Sequence, residues 1–363
     1  GNDNEIEVHV DDEESKDMKA VCAGRQLEGV HLDETDLAPK SFRSSLRPYQ
    51  KQALTWMLER EGSRHSLQTE SVEALHPCWE CYALPDPNLS CGAEIDLVED
   101  ENTKEPDRKR GEMLYHNVFT GEVQLSFPSS AHTCRGGILA DAMGLGKTVM
   151  TTALLAAQRV KQGRKSDSVG GTLIVCPMSL LEQWRTEIEK HSASGLLTST
   201  IFYGSDRNRD TSLLRWDVVI TTYGVINSEF CGHEGSRPNG NGLFSVEWSR
   251  IVLDEAHSIK SRVTSTAKAA FALNGVCKWC LTGTPIQNQL EDLDSLLKFL
   301  HVEPWCHYGW WMKLIQKPYE AGDERALTVL QGLLQPLMLR RTKESIGKDG
   351  NPSHISGVVS LAA

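Results

Sequence analysis

The stretch from Gly137 to Thr148 constrains the fold of this chain more than any other. Gly137-Ile138-Leu139-Ala140 is a short apolar run with strand character. Asp141-Ala142-Met143-Gly144-Leu145-Gly146-Lys147-Thr148 is a glycine-containing turn, and a helical pattern opens at Lys147. Strand, glycine loop and helix in that order bring backbone N–H groups and the positive end of a helix to one point, which is how a chain cradles phosphate oxygens. Lys147 is then placed to reach the outer phosphates and Thr148 to hold Mg²⁺. The generic pattern has glycine where this chain has Asp141, and a glycine turn that merely opens a helix has the same local form.

The rest of the chain favours the phosphate loop. Apolar runs of strand length recur at Gly137 to Ala140, Thr172 to Cys176, Thr198 to Tyr203, Asp217 to Thr221, Arg250 to Asp254 and Lys278 to Thr282. Helical patterns lie between several of them, at Lys147 to Arg159, Ser179 to His191 and Thr264 to Ala272. Such alternation predicts an α/β fold with a mainly parallel sheet covered on both faces. The 363 residues suffice for one large domain of this kind. Upstream, Leu46, Tyr49, Ala53, Leu54, Met57 and Leu58 recur at helical spacing behind Arg47-Pro48, a proline in the first turn.

Residues 62–133 lose this regularity and read as an insertion. Within it Met113 to Phe119 and Glu122 to Phe127, separated by Thr120-Gly121, predict a β-hairpin. Cys231 to Gly242, rich in glycine, predicts a surface loop.

A second chemical feature follows the run Arg250-Ile251-Val252-Leu253. Asp254 and Glu255 stand where a buried parallel strand reaches its carboxyl end, the edge at which open α/β sheets bind ligands. There Asp254 can hold Mg²⁺ and Glu255 can polarise an attacking water, as phosphoryl transfer requires. Acidic residues in a helix's first turn have the same look, so this reading depends on the phosphate loop.

Charge is uneven. Residues 1–36 hold 12 acidic and three basic residues, and the body of the chain is close to neutral although the whole carries −11. A neutral body neither favours nor excludes nucleic acid. Residues 1–40 read as an acidic disordered tail. No apolar run reaches the roughly 18 residues of a membrane helix, and ten cysteines are too sparse for a disulfide framework.

The order of motifs resembles the SWI/SNF-type ATPases of helicase superfamily two, specifically their first RecA-like lobe. Leu46-Arg47-Pro48-Tyr49-Gln50 resembles the adenine-side motif, with Gln50 expected to read the base. Leu139 to Thr148 resembles the family's phosphate loop, in which an aspartate at the position of Asp141 is expected. Val175-Cys176-Pro177 with Leu180 and Gln183-Trp184, and Ile220-Thr221-Thr222-Tyr223, are similar to the DNA-side segments. Asp254-Glu255-Ala256-His257 is similar to the acidic box, in which His257 links to neighbouring motifs. Leu281-Thr282-Gly283-Thr284-Pro285-Ile286-Gln287-Asn288 is similar to the motif that couples ATP state to DNA contact, and Leu290 to Leu300 with Leu339-Arg340-Arg341-Thr342-Lys343 completes the lobe.

The resemblance implies a RecA-like three-layer P-loop domain over residues 41–345, with the insertion at 62–133 and a C-terminal tail at 346–363. It implies ATP and Mg²⁺ as cofactors and double-stranded DNA, alone or within chromatin, as partner. DNA repair or remodelling in the nucleus would be the role, with no membrane association. Lys147, Asp254 and Glu255 would be the catalytic residues. The nucleotide would lie against Gln50, residues 141–148 and residues 254–257, with Pro177, Trp184, Thr221, Thr222, Thr282, Gly283 and Thr284 on the DNA or coupling side. Leu75-His76-Pro77-Cys78-Trp79, the hairpin and Leu139 to Met143 are most similar to the Rad-five and helicase-like transcription factor branch in its plant form.

Nothing after Arg341 resembles a second lobe, which in this family supplies an arginine finger worth about 10³ to 10⁵ in rate. The expectation is a chain that hydrolyses ATP poorly by itself. The alternative is a non-catalytic module that binds ATP and DNA. No RING-type cysteine array is found. His76, Cys78, Cys81 and Cys91 could form a zinc site or be free thiols. Cys277 and Cys280 are expected as core thiols facing opposite sides of the sheet, Trp305, Trp310 and Trp311 as packing between helices, and Lys260 and Arg262 as solvated or meeting a DNA phosphate.

Overall fold

In the computed structural model, residues 33–38, 40–62, 79–83, 113–117, 121–125, 134–162, 169–204, 213–232, 242–283, 290–343 and 346 are described. The chain divides into two compact units, one of residues 66–132 and one of the remainder. The smaller holds strands β1 (Trp79–Ala83), β2 (Met113–Asn117) and β3 (Val123–Gln124), joined antiparallel in that order. The expected hairpin is β2–β3, with His116 opposite Val123. The strand β1, which brings Glu80 opposite His116, was not foreseen.

The larger unit begins with helix α1 (Pro48–Glu61), whose entry is fixed by the Gln50 side chain accepting the Arg47 N–H at 3.0 Å. Then come β4 (Gly136–Leu139), α2 (Lys147–Gln162), β5 (Gly170–Cys176), α3 (Leu181–His191), β6 (Ser199–Ile201), β7 (Val218–Thr222) and α4 (Tyr223–Gly232). They are followed by β8 (Trp248–Asp254), α5 (Ser265–Ala272), β9 (Gly275–Leu281) and α6 (Leu290–Leu300). Short helices α7 (Tyr308–Trp311) and α8 (Lys317–Glu320) flank a π turn at Met312–Gln316, ahead of α9 (Glu324–Leu337) and β10 (Met338–Leu339). Side chains on α5 and α9 complete their caps, Thr264 accepting from Ala267 N–H at 3.2 Å and Asp323 from Arg325 N–H at 3.0 Å.

Seven strands form one parallel sheet in the order β10-β4-β9-β8-β5-β7-β6. Helices α1, α2 and α3 pack together, as do α4, α5 and α6. Strand alternation divides the core between them. Leu139, Ile174, Val218, Val252 and Trp279 join Leu54, Met57, Met150, Leu154 and Ile188 in one cluster, so that Leu173, Val219, Ile251 and Cys280 face the other layer. The three-layer α/β expectation holds, with every residue of β4, β5 and β7 buried. At Gly136 only glycine fits: φ is +121° and an added Cβ would fall 1.8 Å from the Lys278 carbonyl oxygen.

Two expectations change. The strand foreseen at Thr198 to Tyr203 is shorter, and a 3₁₀ turn at Met178–Leu180 precedes α3 where helix was expected from Ser179. The strand β10 was also missed, because two residues carry no periodicity. Cys277 and Cys280 are buried as expected, and burial holds the Cys277 thiol up at about 11. Trp305 and Trp311 are core residues. His76, Cys78, Cys91, the acidic tail to residue 32 and Thr284 lie outside the described residues.

Candidate active site

Register brings the two chemical motifs together. Leu139 pairs with Leu281 and Asp254 pairs with Leu281, so the carboxyl ends of β4, β9 and β8 stand side by side. The crossover through α2 carries the chain from β4 to β5, past the positions that β8 and β9 later fill, and the loop after β4 lies at that switch.

The loop from Asp141 to Gly146 turns on Gly144 and Gly146, both at φ +85°. Lys147 donates from Nζ to the Asp141 carbonyl oxygen at 2.7 Å. Burial pulls its amine below the usual lysine range, opposed by Asp141, Glu255 and Asp254. The underside of the loop rests on α1: Tyr49 Oη and Gln50 Nε2 both donate to the Leu145 carbonyl oxygen, at 3.1 and 3.2 Å. Gln50, expected to read the base, thus supports the loop here, and an added Cβ on Gly146 would come within 2.7 Å of its Nε2.

Asp141, the departure from the generic loop, is fully buried and has a partner the sequence did not reveal. Arg341, just beyond β10, donates its backbone N–H to Oδ1 at 2.9 Å and grips the carboxylate with Nε at 3.1 Å and with Nη2. Its carbonyl oxygen accepts the Ala142 N–H at 2.9 Å, and its guanidinium lies over the Tyr49 ring at 5.4 Å. The loop is therefore clamped between α1 and Arg341. A buried aspartate at a strand end calls for a cation, but nothing local says that it comes from 200 residues away. Arg341→Lys keeps the charge and loses the planar fork. It is expected to cost about 1.5–3 kcal/mol of stability, read by denaturant unfolding, and to weaken binding of a fluorescent ATP analogue.

The acidic box is anchored as firmly. Asp254 is 7% exposed. Its Oδ2 accepts the Trp184 indole N–H at 2.7 Å, its Oδ1 the Glu255 N–H at 3.0 Å, and its carbonyl oxygen the Tyr223 hydroxyl at 2.7 Å. Trp184, expected on the DNA or coupling side, is 1% exposed, its side chain turned inward onto the box. Glu255 has left-handed backbone, φ 49° and ψ 54°, and its Oε2 approaches His257 Nδ1 to 3.3 Å without hydrogen-bond alignment, leaving both atoms buried without a partner among the described residues.

Burial raises the Asp254 carboxyl above the ordinary aspartate range, and the Trp184 hydrogen bond opposes the shift. A cation held by this carboxylate is lost as pH falls through the raised value. Trp184→Phe removes the opposing bond, so the acid limb of Mg²⁺-dependent nucleotide binding is expected to move to higher pH, as a titration of affinity against pH will show.

The other expected residues are distributed around this centre. An added Cβ on Gly283 would lie 3.1 Å from Met143 Cγ and 3.9 Å from Lys147 Nζ, so the coupling motif abuts the phosphate loop; Thr282 N–H donates to the Leu139 carbonyl oxygen at 3.2 Å. Pro177 follows β5, ahead of exposed Met178. Thr221 and Thr222 are buried, bonded to the Phe202 carbonyl oxygen at 2.9 Å and to the Val225 N–H at 3.2 Å, and serve the local backbone. Arg262 is engaged, paired with Asp294 at 2.7 Å and stacked 4.4 Å over Tyr308.

The residues fit ATP with Mg²⁺: a glycine cradle and a lysine of lowered basicity, beside a carboxylate pair one of whose buried oxygens lacks a donor. Gly144, Gly146, Lys147 and Thr148 would hold the phosphates, and Thr148 and Asp254 the metal ion.

Residues 49–359 match the family model for the SNF2-related domain. The chain is 43% identical to DNA repair protein RAD5B of Arabidopsis thaliana, over 95% of this chain and 27% of that protein. It is 45% identical to DNA repair protein RAD5A of the same plant, over 86% of this chain and 32% of that protein. It therefore spans about a third or less of these relatives. A solved SWI2/SNF2 ATPase core domain of Sulfolobus solfataricus superposes with a TM-score of 0.51 at 25% identity, covering 86% of this chain and 48% of that one.

Proposed function

Since the chain belongs to the SNF2-related domain family, we propose that it is the ATP-binding lobe of a DNA-dependent ATPase that acts on double-stranded DNA, in repair and in chromatin, within the nucleus. Its curated relatives are named as DNA repair proteins. The observation that carries the catalytic part is the alignment of strand ends that sets Lys147, Asp254 and Glu255 around one point.

ATP supplies the transferable phosphoryl group and Mg²⁺ the charge neutralisation. The chain's residues do the positioning. Backbone N–H groups at the start of α2 and Lys147 bind phosphate oxygens. Asp254, held by Trp184, Tyr223 and the Glu255 N–H, would hold the metal ion. The Glu255 carboxylate would accept a hydrogen bond from the attacking water and align it. Gly283, beside Met143 and Lys147, gives the coupling motif a direct view of the phosphates. In this reading Pro177 and Thr284 act toward DNA, and Trp184 acts from inside.

The test is ATP hydrolysis with and without duplex DNA, beside Lys147→Ala. Turnover that rises with DNA and disappears in the variant supports the proposal. Equal silence of both proteins, with nucleotide still bound by the wild type, makes this stretch a binding module whose hydrolysis depends on further protein. Turnover raised by RNA and not by DNA overturns the DNA assignment.

A further inference from the structure

A second feature lies at the other end of the strands. A cavity of about 440 Å³ opens at the amino ends of β4 and β9, beside the ends of α5 and α6, a size typical of small-molecule sites. Leu273, Val276 and Leu300 give it apolar lining. Arg135, Lys278 and His301 bring cationic or ionisable groups, and Glu303 brings a carboxylate.

Lys278 is out of place in an ordinary core. It sits within β9 at 7% exposure, and the contact its ammonium makes is with the Phe299 ring, 5.2 Å away. Arg250, buried like Lys278, has Glu61, and the half-buried Arg341 and Arg262 have Asp141 and Asp294. Among the described residues Lys278 forms no ion pair, and burial pulls its amine down to about 8. Lys147, half-buried at the phosphate loop, also has lowered basicity and, among the described residues, no acid in ion-pair contact.

An unpaired ammonium removed from water is costly until an anion joins it. Arg135 lines the mouth but turns its guanidinium away to the Glu61 carbonyl oxygen at the end of α1. His301 stands at left-handed backbone, φ 59°, directly after α6.

We propose that this cavity is a second anion site, which takes a small phosphate-bearing molecule with Lys278 Nζ as its charged contact and His301 beside it. A buried ammonium without an acid suits an anion, and Leu273, Val276 and Leu300 add a minor apolar wall that the body of a phosphate ester can meet. The site is separate from the nucleotide site, so it stands or falls independently of the ATPase reading.

The experiment follows acylation of Lys278 by an amine-reactive ester at pH 7.5, read by peptide mass spectrometry. It is done in a Lys147→Ala background, so that phosphate at the glycine loop does not contribute. Inorganic phosphate and phenyl phosphate are compared with chloride at equal ionic strength, and exposed Lys313 is the control. The expected result is at least fivefold slower modification of Lys278 with either phosphate and no change at Lys313. Protection by phenyl phosphate at lower concentration than inorganic phosphate assigns the ligand as an ester; the reverse order assigns free phosphate. An unchanged rate at Lys278, or equal slowing at Lys313, overturns the proposal. A second measurement is the rise in Tm with phosphate, expected in the Lys147→Ala protein and lost on adding Lys278→Met, which keeps most of the apolar stem. A rise that survives Lys278→Met overturns the assignment to this cavity.

Discussion

Glu61→Leu is expected to lower the unfolding free energy by about 3–5 kcal/mol, measured by urea denaturation. Glu61, the last residue of α1, is 2% exposed. Its carboxylate holds the Arg250 guanidinium through Nε and Nη2, and also accepts the Trp279 indole N–H at 2.7 Å and the Gln158 amide at 3.0 Å. One substitution leaves a buried cation uncompensated and takes from the Trp279 indole N–H and the Gln158 amide the acceptor they share here. The double variant Glu61→Leu with Arg250→Met removes both charges, and an apolar pair can match a buried ion pair in stability. Recovery of most of the loss assigns it to the stranded arginine; no recovery assigns it to Trp279 and Gln158. Nucleotide affinity below the unfolding transition is expected to stay unchanged, because this cluster begins β8 and the phosphate loop ends β4.

Glu61 also marks the limit of what could be read in the chain. Its partner lies 189 residues away, and an acid closing a helix has the appearance of a solvated residue. The same holds for Asp141 with Arg341 and for Trp184 with Asp254: each pair meets across the sheet, and no spacing encodes it. The phosphate loop and the acidic box were legible for the opposite reason. Their chemistry is carried by consecutive residues at the end of a strand, and strand, turn and helix follow from local composition. Gln50 and Trp184 were recognised as important, but where their side chains point is decided by packing.

Glu255→Gln is expected to lower ATP turnover by about 10²–10⁴-fold while nucleotide binding, followed with a fluorescent ATP analogue, persists. The substitution keeps shape and removes the carboxylate that orients water. The backbone supports this specific role. A non-glycine residue at φ 49° stores on the order of 1–3 kcal/mol of strain, and here that conformation follows directly on Asp254, whose Oδ1 accepts the Glu255 N–H at 3.0 Å. The two acids are thereby given different tasks, Asp254 fixed from three sides and Glu255 with one oxygen lacking a donor. Phosphate release beside the wild type checks the prediction. A loss of binding equal to the loss of turnover shows instead that Glu255 holds the nucleotide.

The clamp on Asp141 also sets a clock. During synthesis the phosphate loop leaves the ribosome 200 residues ahead of Arg341, and at 5–20 residues per second that interval lasts roughly 10 to 40 seconds. Until β9 emerges β4 lacks both strands that will flank it, and to the end of the interval its β10 edge stays open and a carboxylate destined for the core has no counter-charge. The nascent loop cannot be held in its final form until nearly the whole lobe has emerged, so premature termination before Arg341 leaves a strand edge open to other chains and to proteases.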